Sequence, residues 1–371
     1  MKISLFDLKA QYKALKKEVN EVFSSVSSTG SFIKGRFLEE FEKKFARFIG
    51  VKYCVGVASG TDALHLALRV LDIKRGDEVI MPVNTFIASP YATLYTGAKP
   101  VFVDIDPETY NIDVNKIESK IAKKTKALLP VHLYGQPADM DKIMFIAKKY
   151  NLAVIEDSCQ AHGAIYKKRK VGGFGDLSVS SFYPGKNLGA YGDGGSITTN
   201  SKKFAERIVR LREYGGITKY LYDEIGMNSR LDALQAAILT VKLKYLKKWN
   251  ARRRKLASYY NRKFKEEVPH IVTSHVIDNV VPVYHLYVIR IPRRDQLAKF
   301  LEIRGIHTGI HYPIPLHLQK SLKFLGYKKG DFPVAEKVCS EILSLPMYPE
   351  LTHSQQDYIV KSIREFFDHE N

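Results

Sequence analysis

Apolar, strand-like segments alternate with segments of helical spacing along the chain up to residue 200. The predicted strands are residues 52–58, 77–82, 98–104, 126–134, 152–157, 177–183 and 195–200. The predicted helices between them are residues 62–71, 86–95, 114–122 and 139–150. Strands separated by helices of this length favour a mainly parallel sheet with helices on both faces, so the predicted fold class is α/β.

The pattern changes after residue 200. Long helices are predicted over 203–213 and 230–262, and the shorter mixed region that follows has one clear strand, 283–291. No flexible linker separates the two parts of the chain. We therefore expect a division close to the long helix, into a large domain (1–247) that begins with a helical segment and a small C-terminal domain (248–371).

The end of the first predicted strand has the form of an anion site. In the segment ASGTDALHLAL, Ser59 and Gly60 can make a turn, and Thr61 and Asp62 can cap the helix that follows. The free N–H groups and positive dipole end of that helix favour a bound anion such as phosphate. An ordinary capped helix is the alternative. The chain contains no GxxxxGK(S/T) segment of the kind found in Walker loops.

Two later strand ends add an acid, a hydroxyl and an amine. Glu156 and Asp157 follow an apolar run, so at least one of them is a buried carboxylate that needs a cation or several hydrogen-bond donors. The next strand ends at Ser181 and leads to Lys186 in a glycine-flanked loop. Taken alone, Lys186 would be interpreted as a solvated surface lysine. Here it shares the carboxyl edge of the sheet with the other polar groups.

These groups together fit the requirements of pyridoxal phosphate. This cofactor needs a lysine amine for a Schiff base, a carboxylate that keeps its pyridine nitrogen protonated, an anion site and a ring to stack on. A nicotinamide enzyme would instead require GxGxxG directly after the first strand, whereas the nearest glycine run lies at 189–195. A metal site is disfavoured, because His311 and His317 have no Cys, Asp or Glu close by in the sequence.

Charge is the one unusual feature of the composition, with 58 basic and 39 acidic residues and a net charge of +19. Such a protein attracts anions, which include nucleic acids and phosphorylated small molecules. The densest basic run, residues 167–170, is predicted to be a solvated hairpin tip because glycines follow it. The run at 242–255 is predicted to be the outer face of an amphipathic helix. Nucleic acid is therefore not the expected partner.

The remaining compositional signals concern the compartment. Three scattered cysteines do not form a disulfide framework and favour a reducing environment. No apolar signal segment is recognised at the N-terminus, and no stretch has the 18 or so apolar residues of a membrane span. We therefore expect a cytoplasmic enzyme with no membrane partner.

A series of motifs, in chain order, resembles those of the DegT/DnrJ/EryC1/StrS sugar aminotransferases. The motifs are FDLKAQY, ASGTDALHLAL, TFIAS, VFVDIDPETYNID, PVHLYGQPADMD, IEDSCQAHGA, SFYPGKNLGAYGDGG, NSRLDALQAAIL, HYPIPLHLQ and LSLPMYP. The resemblance spans nearly the whole chain. It implies a fold-type-I pyridoxal phosphate enzyme, similar to aspartate aminotransferase, with a mainly parallel seven-stranded sheet and a smaller C-terminal α/β domain.

The resemblance also implies roles for individual residues. Lys186 would be the Schiff-base lysine and general base and acid, and Asp157 would hold the pyridine nitrogen. The implied cofactor contacts are Gly60, Thr61, Phe86, Asp157, Gln160, Ser181, Lys186 and, from the neighbouring subunit, Asn228. The implied substrate contacts are His162, Tyr183, Arg230, His311 and Tyr312, with no metal. Without the resemblance, Asn228 would be interpreted as a cap of the helix that begins SRLDALQAAIL.

The resemblance finally implies a reaction and its partners. The segment SFYPGKNLG has a tyrosine, Tyr183, three residues before Lys186. In this respect it resembles the branch of the family that aminates C3, which includes dTDP-3-keto-6-deoxyhexose enzymes. The amino donor would be L-glutamate, which leaves as 2-oxoglutarate, and the active sites would be shared within a homodimer. Amination at C4, a UDP-3-keto-GlcNAc or uronate substrate, and a non-catalytic regulator remain alternatives. A sugar dehydratase of the same fold is disfavoured because Lys186 is present.

Overall fold

A computed structural model describes residues 1–368 of the chain. The α-helices are α1 (Leu8–Thr29), α2 (Arg36–Ile49), α3 (Gly60–Val70), α4 (Ala88–Tyr95), α5 (Met140–Tyr150), α6 (Lys202–Leu211), α7 (Ala233–Glu267), α8 (Arg294–Ile303), α9 (Pro333–Glu341) and α10 (His353–Asp368). The strands are β1 (Tyr53–Val57), β2 (Glu78–Pro82), β3 (Lys99–Val103), β4 (Thr125–Leu128), β5 (Ala153–Asp157), β6 (Ile165–Tyr166), β7 (Arg169–Lys170), β8 (Leu177–Ser181), β9 (Gly195–Thr199), β10 (Gly216–Thr218), β11 (Leu221–Tyr222), β12 (Val272–Thr273), β13 (Val280–Val281), β14 (Tyr287–Arg290) and β15 (Ile342–Leu345).

The seven strands predicted up to residue 200 form one sheet, in the order β1-β9-β8-β5-β4-β2-β3. All neighbouring strands are parallel except β9, which runs antiparallel to both β1 and β8. Helices cover both faces. On β2, Ile80 packs in the same cluster as Ile143 of α5, whereas Val79 and Met81 pack in the cluster that contains Leu64 of α3. The predicted α/β fold class and mainly parallel seven-stranded sheet are confirmed.

One predicted helix, residues 114–122, is wrong. The segment instead forms two 3-10 turns, Val114–Lys116 and Glu118–Lys120. With three residues per turn, Val114 and Ile117 lie one above the other, and both pack against the cluster around α5. Apolar residues three positions apart fit a 3-10 turn as well as an α-helix, so the spacing alone could not separate the two.

Helix α7 runs without interruption through the predicted domain boundary at 247/248. Its second half packs in a separate core with the three-stranded sheet β12-β14-β15, where Leu256, Tyr260 and Ile289 are fully buried. We propose that the chain divides near this point of α7. Ile3 belongs to the same C-terminal core and pairs with Ile306, so the first residues of the chain pack with the small domain.

Two local predictions can be compared with the structure. The basic run forms a β-hairpin of β6 and β7, and Lys167 and Lys168 occupy its turn with φ of 43° and 69°, as a two-residue hairpin turn requires. Helix α3 begins at Gly60, two residues earlier than expected. Ser59 is its N-cap, with Oγ accepting a hydrogen bond of 3.1 Å from the Asp62 N–H, so Thr61 and Asp62 do not cap it. None of the helices within residues 1–368 combines the length and the hydropathy that a membrane-spanning segment requires.

Candidate active site

A cavity of about 490 Å³ opens at the carboxyl ends of the sheet strands. Most of the site residues predicted from the sequence line it. They are Gly60, Thr61, Phe86, Asp157, Gln160, Ser181, Tyr183, Lys186, His311 and Tyr312. Segments up to about 250 positions apart in the sequence thus meet in one concave surface, which is where an open α/β sheet binds its ligands.

The anion cradle lies between the start of α3 and the end of β8. Ser59 caps α3, so the N–H groups of the first helical turn point towards this end of the cavity. A Cβ atom placed on Gly60 would lie 2.7 Å from the Cβ of Ser181. Because only glycine permits this approach, the helix N-terminus and the Ser181 hydroxyl are held side by side. Together with Thr61, they form a set of hydrogen-bond donors for a phosphate group.

Asp157 lies at the end of β5 and is 5% exposed. Its Oδ1 accepts a hydrogen bond of 3.1 Å from the Cys159 N–H, and its Oδ2 accepts one of 3.4 Å from the Ser89 hydroxyl. The Ser89 hydroxyl in turn lies 3.3 Å from Thr85 Oγ1. These contacts fix the carboxylate at the cavity wall and leave it able to accept a further proton-bearing group.

The preceding residue, Glu156, points to the other face of the sheet and is fully buried. Its carboxylate accepts hydrogen bonds from the N–H groups of Gly172, Phe174 and Gly175, and lies 3.2 Å from His132 Nε2. Burial acts to raise the pKa of Glu156, but His132 and the backbone donors outweigh it, so the pKa falls below its ordinary value. Glu156 is therefore a saturated carboxylate that holds the 172–175 loop, outside the cavity.

Lys186 lies in a tight loop after β8. Its N–H donates to the Tyr183 carbonyl at 2.8 Å, and a Cβ atom on Gly189 would lie 2.3 Å from the Pro184 carbonyl oxygen, so the loop closes only with glycine there. Within residues 1–368, the Lys186 amine has no hydrogen-bond or ion-pair partner. Burial lowers the pKa of this amine below its usual 10.5, although Cys159 and Asp157 oppose the shift. A lowered pKa enlarges the neutral, nucleophilic fraction of the amine.

Gln160 and Tyr312 meet at another part of the cavity wall. Gln160 Nε2 lies 3.3 Å from the Tyr312 hydroxyl, and its Oε1 accepts a hydrogen bond of 2.7 Å from the Tyr134 N–H. The ring of Phe86 lies beside that of Tyr312, with 5.9 Å between the ring centroids. Phe86 is 52% exposed, so it offers an aromatic face to a planar ligand.

His311 precedes Tyr312, and its Nδ1 lies 2.9 Å from Ser344 Oγ. Burial, with a smaller contribution from Lys186, lowers the pKa of His311 to about 4, so the imidazole is neutral at physiological pH.

Three predicted site residues lie outside the cavity of their own chain. His162 is buried and stacks on Phe182, with 5.6 Å between the centroids, and neither ring nitrogen has a hydrogen-bond partner in the described part of the chain. Burial lowers the pKa of His162 to about 3. The structure therefore places this side chain behind the wall, where it packs as a neutral ring, rather than facing the cavity.

Asn228 and Arg230 lie in the segment before α7, and neither lines the cavity. Asn228 is exposed and pairs with Glu213 in a backbone bridge. The alternative role of Asn228 as a helix cap is wrong, because α7 begins at Ala233 and its N-cap is Asp232. The apolar residues of SRLDALQAAIL had suggested an earlier start. The first helical turn lies after Leu231, which is buried in the core below β1.

The cavity also contains residues that the sequence reading did not place there. The main ones are Phe6, Cys159, Asp193 and His285. Phe6 stacks on His285 with 6.1 Å between the ring centroids. Burial, followed by the Lys186 charge, lowers the pKa of His285 well below its usual value. The sequence offered a signal for two of these cavity residues, because Phe6 belongs to the FDLKAQY motif and Asp193 belongs to the GDGG run. His285 precedes a small-domain strand, and only tertiary packing brings it to the cavity.

The residues present fit pyridoxal phosphate. The close approach of Gly60 to Ser181 forms a cradle for a phosphate, Phe86 has an exposed face for the ring, and Asp157 can hold the pyridine nitrogen. Lys186 supplies an amine in the same cavity. Pyridoxal phosphate has a use for each of these four groups.

Comparison with known proteins gives the same result over the whole chain. An Aneurinibacillus thermoaerophilus protein named dTDP-3-amino-3,6-dideoxy-alpha-D-galactopyranose transaminase is 48% identical over 98% of this chain and 99% of its own length. A Geobacillus stearothermophilus protein named pleiotropic regulatory protein is 47% identical over 100% of both chains. The relatives thus include one named for transamination and one named for regulation.

Solved structures agree with the fold. The S. venezuelae protein DesV, in complex with a ketimine intermediate, is 42% identical and superposes with a TM-score of 0.96 over 98% of both chains. The Bacillus subtilis protein NtdA with bound cofactor PMP is 35% identical, with a TM-score of 0.88 over 94% of this chain and 81% of that one. The profile of the DegT/DnrJ/EryC1/StrS aminotransferase family matches residues 13–364. The chain therefore belongs to the DegT/DnrJ/EryC1/StrS aminotransferase family.

Proposed function

We propose that this pyridoxal phosphate-dependent aminotransferase moves an amino group from L-glutamate to the C3 keto carbon of a dTDP-linked keto-6-deoxyhexose. The observation that carries the proposal is the presence of the Lys186 amine, without an ion-pair partner in the described chain, in the same cavity as Asp157. The relative named as a dTDP-3-amino sugar transaminase supports the choice of carbon and nucleotide. The structure of DesV contains a ketimine intermediate, and this supports a transamination reaction in a protein of the same fold.

The roles of the cavity residues follow from their positions. Gly60, Thr61 and Ser181 would hold the cofactor phosphate, and Phe86 would stack on its ring. When bound, the cofactor supplies an electron sink for the carbon from which the amino group is taken. Asp157 would keep the pyridine nitrogen protonated, and this positive charge is what makes the ring an effective sink.

Lys186 has two tasks in this scheme. Its amine would hold the resting cofactor, and after the amino donor displaces it, Nζ would take up the proton from the donor's α-carbon and return it later. The lowered pKa of Lys186 favours this work, because a general base must be unprotonated when it acts. His285 and His311, which are neutral for the reasons given above, add no positive charge that would compete for the same anions.

The keto sugar would occupy the outer part of the cavity. Tyr183 is 60% exposed there and is free to contact a sugar hydroxyl. Phe6 and Leu286 offer an apolar wall nearby, which suits a 6-deoxy methyl group better than a carboxylate. We therefore favour a deoxyhexose over a uronate.

We further propose a homodimer with shared active sites, in which Asn228 reaches the neighbour's cofactor phosphate and Arg230 its substrate or donor. The support is an exposed apolar hairpin, β10 and β11, just before these residues. The large exposed side chains in this hairpin and directly beside it are Tyr214, Ile217, Tyr220, Leu221, Tyr222 and Ile225. Ile225 is 85% exposed and Tyr220 78%. A contiguous apolar projection of this kind needs a partner surface, and a second copy of the chain would cover it.

Mixing inactive variants tests the shared site. Lys186→Ala and Asn228→Ala subunits should form hybrid dimers in which one site carries both changes and the other carries neither, so activity should rise above that of either variant. Lys186→Ala mixed with Asp157→Asn is the matched control, because both changes lie in one chain's cavity. That mixture should stay inactive. Failure of the first mixture, with subunit exchange confirmed, would refute sharing and leave the Lys186 chemistry intact.

A product assay tests the reaction itself. The enzyme is incubated with glutamate and with dTDP-, UDP- or GDP-linked 3-keto and 4-keto sugars, and the aminated ring carbon is identified by NMR. We expect the highest kcat/KM with the dTDP-3-keto-6-deoxyhexose. Preference for UDP-3-keto-GlcNAc, for a uronate or for a 4-keto sugar would select the corresponding alternative. Absence of any amine product from the cofactor-loaded enzyme would favour a regulatory role.

We place the enzyme in the cytoplasm, in line with its three unpaired cysteines.

A further inference from the structure

Helix α7 contacts the segment that joins β8 to β9 through three polar side chains. This segment, residues 182–194, contains Lys186 and is called the Lys186 loop below. The three side chains on α7 are Gln235, Lys242 and Asn250, and each is about two helical turns from the next. They therefore lie along one side of the helix, which faces the Lys186 loop.

The two outer members of this series hold the two ends of the contact. The Tyr191 N–H donates a hydrogen bond of 2.8 Å to Gln235 Oε1. At the other end, Asn187 Nδ2 donates one of 2.9 Å to Asn250 Oδ1. Asn187 follows Lys186 directly in the chain, so the loop is tied to α7 immediately beside the Schiff-base lysine.

Lys242 makes the central contact. Its Nζ donates a hydrogen bond of 2.7 Å to the carbonyl oxygen of Gly189, the glycine whose position against Pro184 closes the loop. The same Nζ lies 4.1 Å from the centroid of the Tyr191 ring. Burial, followed by Tyr12, raises the pKa of the Tyr191 phenol, so this ring faces the amine in its uncharged form.

The environment of Lys242 is unfavourable for a charged side chain. Lys242 is fully buried, and in the part of the chain that the structure describes no carboxylate pairs with it. Burial lowers its pKa from the usual 10.5 to about 7. Buried lysines without an acid partner are rare because desolvation of the amine opposes folding. Lys242 thus differs from Glu156, whose charge is compensated, and stability alone does not account for it.

Lys242 cannot act on the substrate directly, because it does not line the cavity. It also does not act through its charge on Lys186. The pKa of Lys186 is shifted by burial, Cys159 and Asp157, and not by Lys242. Any influence of Lys242 on Lys186 therefore passes through the backbone of the loop that the two residues share.

We propose that Lys242 is a positioning residue, whose buried amine holds the Gly189 carbonyl and thereby sets the place from which the Lys186 side chain enters the cavity. The proposal rests on the proposed function of Lys186. That amine has to reach both the cofactor and the proton of the amino donor, and a displacement of about 1 Å can slow such a step by about 10²-fold. Leu188 and Ala190 keep the loop packed in the same apolar cluster as α7, so loss of the Lys242 contact should loosen the loop without unfolding it.

The first test uses the apo-protein and the substitution Lys242→Met, which keeps an unbranched side chain but removes the donor. The N–H groups of Lys186 and Ala190 donate to the carbonyls of Tyr183 and Phe182 at 2.8 Å and report on the closure of the loop. We expect hydrogen exchange of these two N–H groups to become at least about tenfold faster, the effect of one hydrogen bond from a charged donor. Exchange in the strands of the seven-stranded sheet should be unchanged.

The second test uses the holoenzyme. We expect Lys242→Met to lower kcat at least about tenfold and to change the KM for glutamate by less than about twofold, because the residues that line the cavity are unchanged. The unfolding temperature of the apo-protein at pH 6 should not fall, since a desolvated charge is removed. Because the pKa of Lys242 is lower in the folded protein than in the unfolded one, its ammonium form opposes folding, and this cost fades as the pH rises from about 7 towards 10.5. Any advantage of Lys242→Met in unfolding temperature should therefore shrink over that range.

Lys244→Met is the matched control. Lys244 lies two positions further along α7 but is exposed, where it pairs with Glu18 of α1 at 2.9 Å. Its loop exchange, kcat and KM should equal those of the unaltered protein. The proposal requires that Lys242→Met has faster exchange in the loop, a lower kcat and no loss of unfolding temperature, and the absence of any one of these would overturn it. A variant that did not fold would overturn it as well, because Lys242 would then serve the fold.

Failure of the proposed function would be recognised separately. An unaltered enzyme that transaminates no keto sugar would refute the function. The exchange measurement on the apo-protein requires neither cofactor nor substrate, so it would still decide whether Lys242 holds the Lys186 loop.

Discussion

Glu156 and Asp157 are neighbours on β5, yet the two faces of the strand give them opposite environments. Glu156 is fully buried and receives three backbone N–H groups and a histidine. Asp157 receives one backbone N–H and one hydroxyl, and it borders the cavity. The carboxylate with all its donors provided by the protein has a structural task, and the one with spare accepting capacity is available to a ligand.

The same contrast distinguishes the two sides of the sheet more widely. Behind the wall, polar groups such as His132 and Glu156 bind each other and hold loops in place. In the cavity, the Lys186 amine and the Tyr312 hydroxyl are hydrogen-bond donors for which the described part of the chain provides no acceptor. Substitutions on the cavity side should therefore remove activity and spare stability, and those behind the wall should do the reverse.

The largest effect is expected for Lys186→Ala. Transamination should fall by at least about 10⁴-fold, because both the cofactor attachment and the proton transfer are lost. The unfolding temperature of the apo-protein should not fall, because removing a desolvated amine relieves a burial cost. Single-turnover kinetics and thermal unfolding measure the two effects. Turnover near the normal rate would contradict the assignment of Lys186.

Asp157→Asn should have the next largest effect on activity. The amide keeps the shape of the side chain but removes the charge that would hold the pyridine nitrogen protonated. We expect a loss in kcat of about 10²-fold or more, which is about 2.7 kcal/mol in the barrier. The free energy of unfolding of the apo-protein should change by less than about 1 kcal/mol, because the amide oxygen can still accept the hydrogen bond from the Cys159 N–H. A loss in kcat below about tenfold would show that another acid is the partner.

The sequence was sufficient for the parts of this contrast that local patterns determine. The seven strands were found because buried parallel strands are continuous apolar runs, and Lys186 and Asp157 were found because they follow such strands and match family motifs. The order of the strands and the antiparallel direction of β9 depend on how distant segments pair. No local pattern contains that information.

The roles that could not be predicted from the sequence are those that depend on which way a side chain points after folding. The sequence could not decide that Glu156 is the saturated carboxylate, because its donors come from loops at 132 and 172–175. It placed His162 in the sugar pocket, but that ring packs against Phe45 and Phe182 in the core. His285 reached the cavity through the fold of the small domain, and nothing in its neighbourhood of the sequence indicates that position.

Glu156→Gln tests the other side of the contrast. The amide nitrogen would face a backbone N–H or His132, so at least one buried donor would lose its acceptor. We expect the free energy of unfolding to fall by about 3 kcal/mol. Cofactor affinity and kcat should change by less than about threefold at a temperature where the variant is folded. Chemical denaturation and kinetics check both values, and a large loss of kcat in folded protein would show that the two faces are not separate.

The smallest effect concerns acid, and its sign follows from the pKa of Glu156. Because the pKa is lower in the folded protein than the ordinary value of 4.5, the charged carboxylate stabilises the fold above about pH 4.5, and this contribution is lost as the pH falls through the lowered pKa. The difference in unfolding free energy between the unaltered protein and Glu156→Gln should therefore narrow below pH 4.5. One proton changes it by at most about 1.4 kcal/mol per pH unit.

Urea denaturation at a series of pH values from 6 down to 3 measures this narrowing. Glu206→Gln on α6 is a suitable control, because Glu206 is exposed and pairs with the exposed Lys202 one helical turn away. The Glu206→Gln substitution should change the free energy of unfolding by no more than about 0.5 kcal/mol at every pH of the series. If the Glu156→Gln difference stayed constant to pH 3, the pKa of Glu156 would be the same in the folded and the unfolded protein. If it widened, burial would dominate the hydrogen bonds, and Glu156 would not be the saturated partner of this pair.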